Sequence, residues 1–271
     1  VQPSPDVSSR QNPRFKAAVA LRDARERRAG RRILVDGARE IGRAMDAGIR
    51  VIEAWIATER IRTDAALALL PRLGASGAEI IETTPELLAR LAYGERDVGI
   101  VVVLEQPAAS LDGLELPERA LIAVVEQVEK PGNLGAVLRS ADGAGVDAVI
   151  AADAVSDIWN PKAIRASLGT IFSLPVVACS SADALEFLRA RDIAILAARV
   201  EASTDYDAAD LTGPVALAVG AEVAGLSEAW SGDGVTPISI PMLGLADSLN
   251  VSASAAVLFY EARRQRRAAN R

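Results

Sequence analysis

The chain of 271 residues contains no histidine. That absence removes Ser-His-Asp and Cys-His catalysis and every metal site built on imidazole. Cysteine occurs once, at Cys179, which excludes an intrachain disulfide and any Cys-x-x-Cys pair. Cys179 reads as a buried small hydrophobe, and the thiol content suits a cytoplasmic compartment. Aromatic residues make up only 4%. Ala, Val, Leu and Ile supply most of the apolar content, which favours helices alternating with buried parallel strands over a β-sandwich. No apolar run reaches the roughly 18 residues of a membrane span. Residues 1–14 are polar and lack the apolar core of a secretory signal. A Gly-x4-Gly-Lys-[Ser/Thr] phosphate loop is also missing.

What is present is a large apolar fraction, 50% of residues, with a mean hydropathy of +0.20. A chain of this length and composition can bury one large core or two smaller ones. The net charge is −6 but unevenly spread: residues 1–50 carry +6, residues 51–260 carry −16 and residues 261–271 carry +4. The two basic ends are either solvated helix faces or parts of a phosphate-binding surface.

Local patterns divide the chain. Residues 1–12 read as disordered. Pro13 opens a helix that continues through Arg22, Arg25, Arg27, Arg28, Arg31 and Arg32. Strands are expected at 33–35, 51–57, 78–81 and 98–104. Helices are expected at 36–47, capped by Asp36 and closed by Gly48, at 63–73, and at 84–91 with Thr84 as cap and Pro85 first. This half forms an α/β domain over 1–106. Residues 107–117 hold two prolines and no period, and read as a linker to a second domain over 118–271. There, strands at 121–125, 146–151, 193–197, 215–219 and 236–240 alternate with helices at 134–144, 160–168, 182–190 and 251–266. Such alternation predicts a mostly parallel sheet covered on both faces.

Three segments of this second half place a turn at the end of a strand-like run and carry polar groups that a core has no use for. The first is Glu129-Lys130-Pro131-Gly132-Asn133-Leu134-Gly135-Ala136-Val137-Leu138-Arg139. Pro131-Gly132 forces a turn, Asn133 reads as the cap of the next helix, and Gly135 opens its first turn to close approach. Arg139 lies one turn beyond that glycine, either a surface arginine or one reaching back to the helix mouth. The second segment is Leu217-Ala218-Val219-Gly220-Ala221-Glu222, where Glu222 either pairs with Arg139 or is a surface carboxylate. The third runs from Ile238-Ser239-Ile240-Pro241-Met242 to Ser248-Leu249-Asn250-Val251-Ser252. It is followed by small residues that open a long helix, whose amino end with Ser248 and Asn250 suits an anion or carboxylate. Gly143-Ala144-Gly145-Val146-Asp147-Ala148 matches a loose dinucleotide pattern but follows a helix and precedes a strand, so it reads as a helix C-cap.

Taken in order, the three segments resemble the signature motifs of the SpoU/TrmH family of RNA ribose 2′-O-methyltransferases, within the SPOUT superfamily. The likeness spans about 120–271. The stretch Lys162-Ala163-Ile164-Arg165-Ala166-Ser167-Leu168-Gly169, followed by Phe172-Ser173-Leu174-Pro175, is similar to the family's intervening segment. The N-terminal half resembles the ribosomal-protein-like substrate-recognition domain of several rRNA-modifying members, and its opening, from Asn12-Pro13-Arg14-Phe15 to Arg39, is similar to members that confer resistance to ribosome-targeting antibiotics, especially the avilamycin-resistance type. Ala221 departs from the pattern, since many members carry a polar residue there; one side-chain contact is weakened.

The resemblance implies an α/β-knot, a catalytic domain with a C-terminal trefoil knot. Knots are rare exceptions to the rules of chain connection, and periodicity does not reveal one. It implies S-adenosyl-L-methionine bound on Ala198, Gly220, Ala221, Ile240, Met242 and Leu249, and a catalytic group of Asn133, Arg139, Glu222, Ser248 and Asn250. It implies a homodimer through the knotted domain, in which one subunit's arginine completes the other's site. RNA, most of all 23S rRNA, would meet Arg14, Arg28, Arg31, Arg32 and Arg165, with neither metal nor membrane involved. A ribose 2′-hydroxyl is a poor nucleophile, so transfer needs in-line placement and handling of its proton. Arginine, with a pKa above about 12, suits orientation and charge stabilisation better than proton abstraction. The other readings are the same chemistry on tRNA, and a silent RNA-binding or ribosome-assembly protein on the same fold.

Overall fold

A computed structural model of the chain describes residues 4–94, 98–221 and 224–269. It divides into two compact units: Val1–Ala108 with Trp159–Ser173, and Ala109–Ile158 with Leu174–Arg271. Along the first 108 residues run β1 (Ser4–Val7), α1 (Pro13–Ala20), α2 (Ala24–Gly30), β2 (Arg32–Asp36), α3 (Ala38–Asp46), β3 (Val51–Ile56), α4 (Asp64–Leu67), α5 (Leu69–Ala75), β4 (Glu79–Thr83), α6 (Pro85–Leu91) and β5 (Ile100–Glu105). The remainder runs β6 (Leu121–Glu126), α7 (Pro131–Ala144), β7 (Ala148–Ala152), α8 (Pro161–Ala166), β8 (Val176–Cys179), α9 (Ser181–Arg189), β9 (Ala194–Ala198), β10 (Val215–Val219), β11 (Val235–Ile238) and α10 (Val251–Ala269). Helix α8 lies in the segment grouped with the first unit. None of the described helices is long and apolar enough to cross a membrane.

The first unit holds a five-stranded sheet in the order β1-β4-β3-β5-β2. Strands β1, β4 and β3 are parallel, and β5 runs antiparallel to β3 and β2. Its core centres on fully buried Trp55, met edge-on by Phe15 at 6.1 Å.

Several expectations change here. Residues 4–7 are not disordered: they form β1 beside β4, and the Thr83 hydroxyl donates to the Val7 carbonyl at 2.8 Å. The long arginine-rich helix is two helices. Asp23 takes the backbone N–H of Arg25 at 2.7 Å and starts α2, because an aspartate side chain competes for backbone amides and favours a cap over a helix interior. Arg32 then lies in strand β2. Asp36 does not cap α3. Gly37 holds that place, and Asp36 turns into the core to accept from the Tyr93 amide at 2.5 Å and from Arg165 at 3.3 Å. The helix expected over 63–73 breaks at Ala68. Pro71 lacks an N–H and its ring would collide with the carbonyl of Leu67, the last residue of α4, so a new helix must begin beside it.

The second unit is a six-stranded, wholly parallel sheet in the order β11-β9-β10-β6-β7-β8. Central strands β6 and β10 are buried at every position, as continuous apolar runs in a doubly covered sheet should be. Leu111, Leu114 and Leu116, in the segment that reads as a linker, pack against this core. Gly145 closes α7 with φ +77°, as its position after a helix suggests. Strand β8 is a four-residue strand at the sheet edge that no periodicity announces. From β6 the chain proceeds outward to β7 and β8, then crosses to fill the other side with β9, β10 and β11. The strand order therefore reverses between β6 and β10, and open α/β sheets bind ligands outside the carboxyl ends at such a point.

Candidate active site

Because the sheet is parallel, β9, β10 and β11 all end on one edge, and the chain that leaves them builds a cavity of about 510 Å³. Beyond β9 come Ala198, Arg199 and Glu201; beyond β10 come Gly220 and Ala221, then Gly225 and Leu226. After β11 come Ile240, Met242, Asp247, Ser248 and Leu249, and α10 adds Val251 and Ser254 from its first turn. The wall thus combines bare backbone, a few apolar side chains and a few polar ones, the composition of a small-molecule site.

Gly220 is required by packing. A Cβ there would overlap the carbonyl of Gly225 and the amide nitrogen of Leu226, well inside the 3.0 Å that such atoms keep. Gly225 has φ +66°, and its N–H donates to the Ala221 carbonyl at 2.9 Å, folding the turn back on the end of β10. Glu222, an expected catalytic residue between them, lies outside the described residues.

The far side of this turn is anchored twice. Glu126, the last residue of β6, is fully buried and accepts from the Ser227 backbone N–H at 2.7 Å, the Ser227 hydroxyl at 2.6 Å and the Ser181 hydroxyl at 2.8 Å. Arg199 donates to the carbonyls of Leu226 at 3.3 Å and Ser227 at 2.9 Å.

At the start of α10, Asn250 is the cap: its Oδ1 accepts from the Ser252 N–H at 3.0 Å and the Ser252 hydroxyl at 2.6 Å. Asn133 does not cap α7. Lys130 holds that position, because Pro131 suits the first helical residue, and Asn133 sits half-buried within the first turn. Arg139 is exposed further along α7, and its side chain makes no hydrogen bond or ion pair among the described residues. The cavity therefore gathers Ala198, Gly220, Ala221, Ile240, Met242, Leu249 and Ser248, while Asn133, Arg139 and Asn250 are not in its wall.

Cys179 is half-buried rather than buried, at the end of β8. Burial first, then the nearby charges of Asp183 and Asp153, push its thiol up to about 11. No group of three or more Cys, Asp or Glu among the described residues is placed to hold a metal ion.

Of the five arginines assigned to RNA, Arg28, Arg31 and Arg32 are exposed. Arg14 is engaged by Glu79 and Glu53, which together raise its pKa further against a smaller loss from burial. Arg165 is only 18% exposed and is held by Asp36 and the Tyr93 carbonyl, a structural tie within the first unit.

Residues 120–260 match the family model of the SpoU rRNA methylase family. The chain belongs to that family. Residues 12–101 of this SpoU methylase match the MRM3-like substrate binding domain. It is 36% identical over 269 residues to the 23S rRNA (uridine(2479)-2′-O)-methyltransferase of Streptomyces viridochromogenes, covering 96% of this chain and 92% of the relative. A crystal structure of the SpoU methyltransferase AviRb from the same organism, in complex with AdoMet, matches with a TM-score of 0.87 and 33% identity, covering 94% of this chain and 98% of that one. A crystal structure of an RNA 2′-O ribose methyltransferase matches at 0.84 with 39% identity, covering 97% and 99%.

Sequence reasoning passes over Arg199, Glu126 and Ser227. The signal for Glu126 is a charged residue closing an otherwise apolar strand run, and for Arg199 a charge directly after β9. Ser227 carries no signal of its own.

Proposed function

We propose that this SpoU methylase transfers the methyl group of S-adenosyl-L-methionine to a ribose 2′-hydroxyl of 23S rRNA. The observation that carries the reading is the cavity where β9, β10 and β11 end, floored by the backbone of Gly220 and Gly225. Its volume of about 510 Å³ lies within the roughly 300–1,000 Å³ typical of ligand sites. Its residues fit the cofactor: Ile240, Met242 and Leu249 offer apolar contact for the adenine, and the Gly220–Ala221 backbone leaves its polar groups in reach. Asp247, Glu201 and Ser248 supply acceptors for hydroxyl and ammonium groups. When bound, the cofactor supplies an electrophilic methyl.

The residues of the chain have to hold the ribose in line and stabilise the charge that develops on the 2′-oxygen as its proton passes to solvent water. Arg139 orients the target phosphate and stabilises negative charge on the 2′-oxygen. Asn133, Glu222, Ser248 and Asn250 position the reacting groups. Arg139 is exposed and absent from the wall of the cavity in its own chain, which supports a homodimer in which it completes the partner's site. The reading includes a trefoil knot. Support comes from the lacing of 199–206 to 238–239, through Arg199 N–H to the Ile238 carbonyl at 2.8 Å, Ser239 N–H to the Thr204 carbonyl at 2.8 Å and Tyr206 N–H to the Ser239 carbonyl at 2.9 Å. The first domain, over 1–106, recognises rRNA through Arg28, Arg31 and Arg32, and the domain over 118–271 carries the chemistry. Such a substrate places the enzyme in the cytoplasm, with the ribosome.

The test is transfer of labelled methyl from S-adenosyl-L-methionine to 23S rRNA and, in parallel, to tRNA, with mass-spectrometric mapping. A single 2′-O-methylated ribose in 23S rRNA is expected. Label confined to tRNA, label on a base, or no transfer refutes the assignment.

A further inference from the structure

We propose that Glu126 is a positioning residue for cofactor binding, acting with Arg199 to clamp the turn Gly225–Ser227 that floors the cavity. The inference rests on the reading of that cavity as the methyl-donor site. Its starting point is a misfit. Every other residue of β6 is apolar and buried, and Glu126 is as buried as they are. A carboxylate is costly to bury unless donors surround it. Glu126 has three, and two come from one residue, Ser227. The third, the Ser181 hydroxyl at the start of α9, itself accepts from the Trp230 indole at 3.4 Å, which fixes the carboxylate against a fully buried ring.

The other side of the same residue is held by Arg199. The Ser227 N–H is thus taken from β6 and the Ser227 carbonyl from the end of β9, while Leu226 and Gly225, just before it, form the cavity wall. Gly220 tolerates no Cβ against this turn, so a small shift of Gly225–Ser227 changes the floor on which a ligand rests. A glutamine at 126 keeps the volume, but with its carbonyl oxygen left to the two serine hydroxyls its amide nitrogen faces the Ser227 N–H, donor against donor. That bond is lost, the others lose their charge, and the turn is released at one end.

Glu126→Gln is expected to raise the Kd for S-adenosyl-L-methionine about tenfold or more by isothermal titration. Affinity for 23S rRNA stays at the wild-type value, and kcat at saturating cofactor stays within about threefold. Ser227→Ala, which removes only the hydroxyl bond, gives a smaller shift of the same kind. Wild-type cofactor affinity in Glu126→Gln overturns the clamp, as does an equal loss of cofactor and RNA affinity, which marks a general structural role. If Glu126→Gln does not fold, Ser227→Ala and Arg199→Gln decide: unchanged cofactor Kd in both overturns the clamp. A wild-type protein that does not bind the cofactor overturns the reading of the cavity and the clamp with it, a result distinct from the others.

Discussion

Replacing Gly220 by alanine tests the cavity most directly. The added methyl group would overlap three backbone atoms, the carbonyl carbon and oxygen of Gly225 and the nitrogen of Leu226. No side chain can rotate out of the way, so the backbone of the turn must move. Overpacking of a dense interior costs about 1–3 kcal/mol, and an obstacle made of backbone belongs at the upper end. The displacement falls on Gly225 and Leu226, which wall the cavity, and on Ser227, which Glu126 and Arg199 hold. If most of that cost is relieved by swinging the turn outward, about 2.7 kcal/mol of it appears in ligand binding, a factor of about a hundred. Isothermal titration with S-adenosyl-L-methionine and urea unfolding should be run on Gly220→Ala beside Gly213→Ala, where nothing lies within 4 Å of the new Cβ. The expected result is a hundredfold weaker Kd or a loss of about 3 kcal/mol of stability in the first variant, and neither in the second. Gly220→Ala with wild-type affinity and an unchanged unfolding midpoint would refute the packing argument and remove the floor from the site.

Arg139→Ala should lower methyl transfer by about two to three powers of ten while the cofactor Kd stays unchanged, since the residue is exposed and outside the cavity wall. Transfer within about twofold of wild type ends its catalytic role. Cys179, with its thiol pushed up to about 11, should alkylate at pH 8 far more slowly than a free cysteine and speed up as pH approaches 11. The linkage has a definite sign: the folded thiol titrates above the unfolded one at about 8.5, so the stabilisation is full below that pH and is lost as pH rises toward 11. Equal stability of wild type and Cys179→Ala across pH 8–11 would contradict it. Arg266 donates to four carbonyls, of Arg119 and Gly213 at 2.6 Å, Leu211 at 2.9 Å and Ala120 at 3.1 Å. Arg266→Ala should cost about 3 kcal/mol in urea unfolding, and an unshifted midpoint would show these bonds exchange freely with water.

The parallel sheet was legible because β6 and β10 are uninterrupted apolar runs, which only a doubly covered strand needs. The cavity was legible because Gly220, Ile240-Pro241 and Ser248-Leu249-Asn250 sit where parallel strands must end on a common edge. Other features depend on competition that a linear pattern hides. Asp23 and Asp36 each had several places to bond, and the surroundings chose: Asp23 cut a helix in two, and Asp36 left its helix for Arg165. Strand β1 is short, and its backbone hydrogen bonds are made to β4, more than seventy residues away, so no local signal announces it. Glu126 and Arg199 were invisible as a pair for the same reason: what joins them is Ser227, distant from both in the chain.

The distribution of charge takes on a different meaning once the partners are known. The basic carboxyl end looks in sequence like a second phosphate-binding surface, yet three of its arginines are engaged within their own unit. Arg266 binds four carbonyls, Arg264 pairs with Glu261, and Arg263 donates to the Ala144 carbonyl at the end of α7. At the other end, Arg28, Arg31 and Arg32 stand exposed around the close of α2 and the start of β2, an edge strand. Arg31 adopts φ +48° there, ending the helix and turning the chain into the strand. On the proposed reading, then, attraction for the phosphate backbone comes from these three arginines together with Arg139. On that reading the exposed arginines supply an affinity that carries no base sequence, and only a ribose placed in line with the bound methyl donor reacts. A chain without histidine can then leave the chemistry to placement.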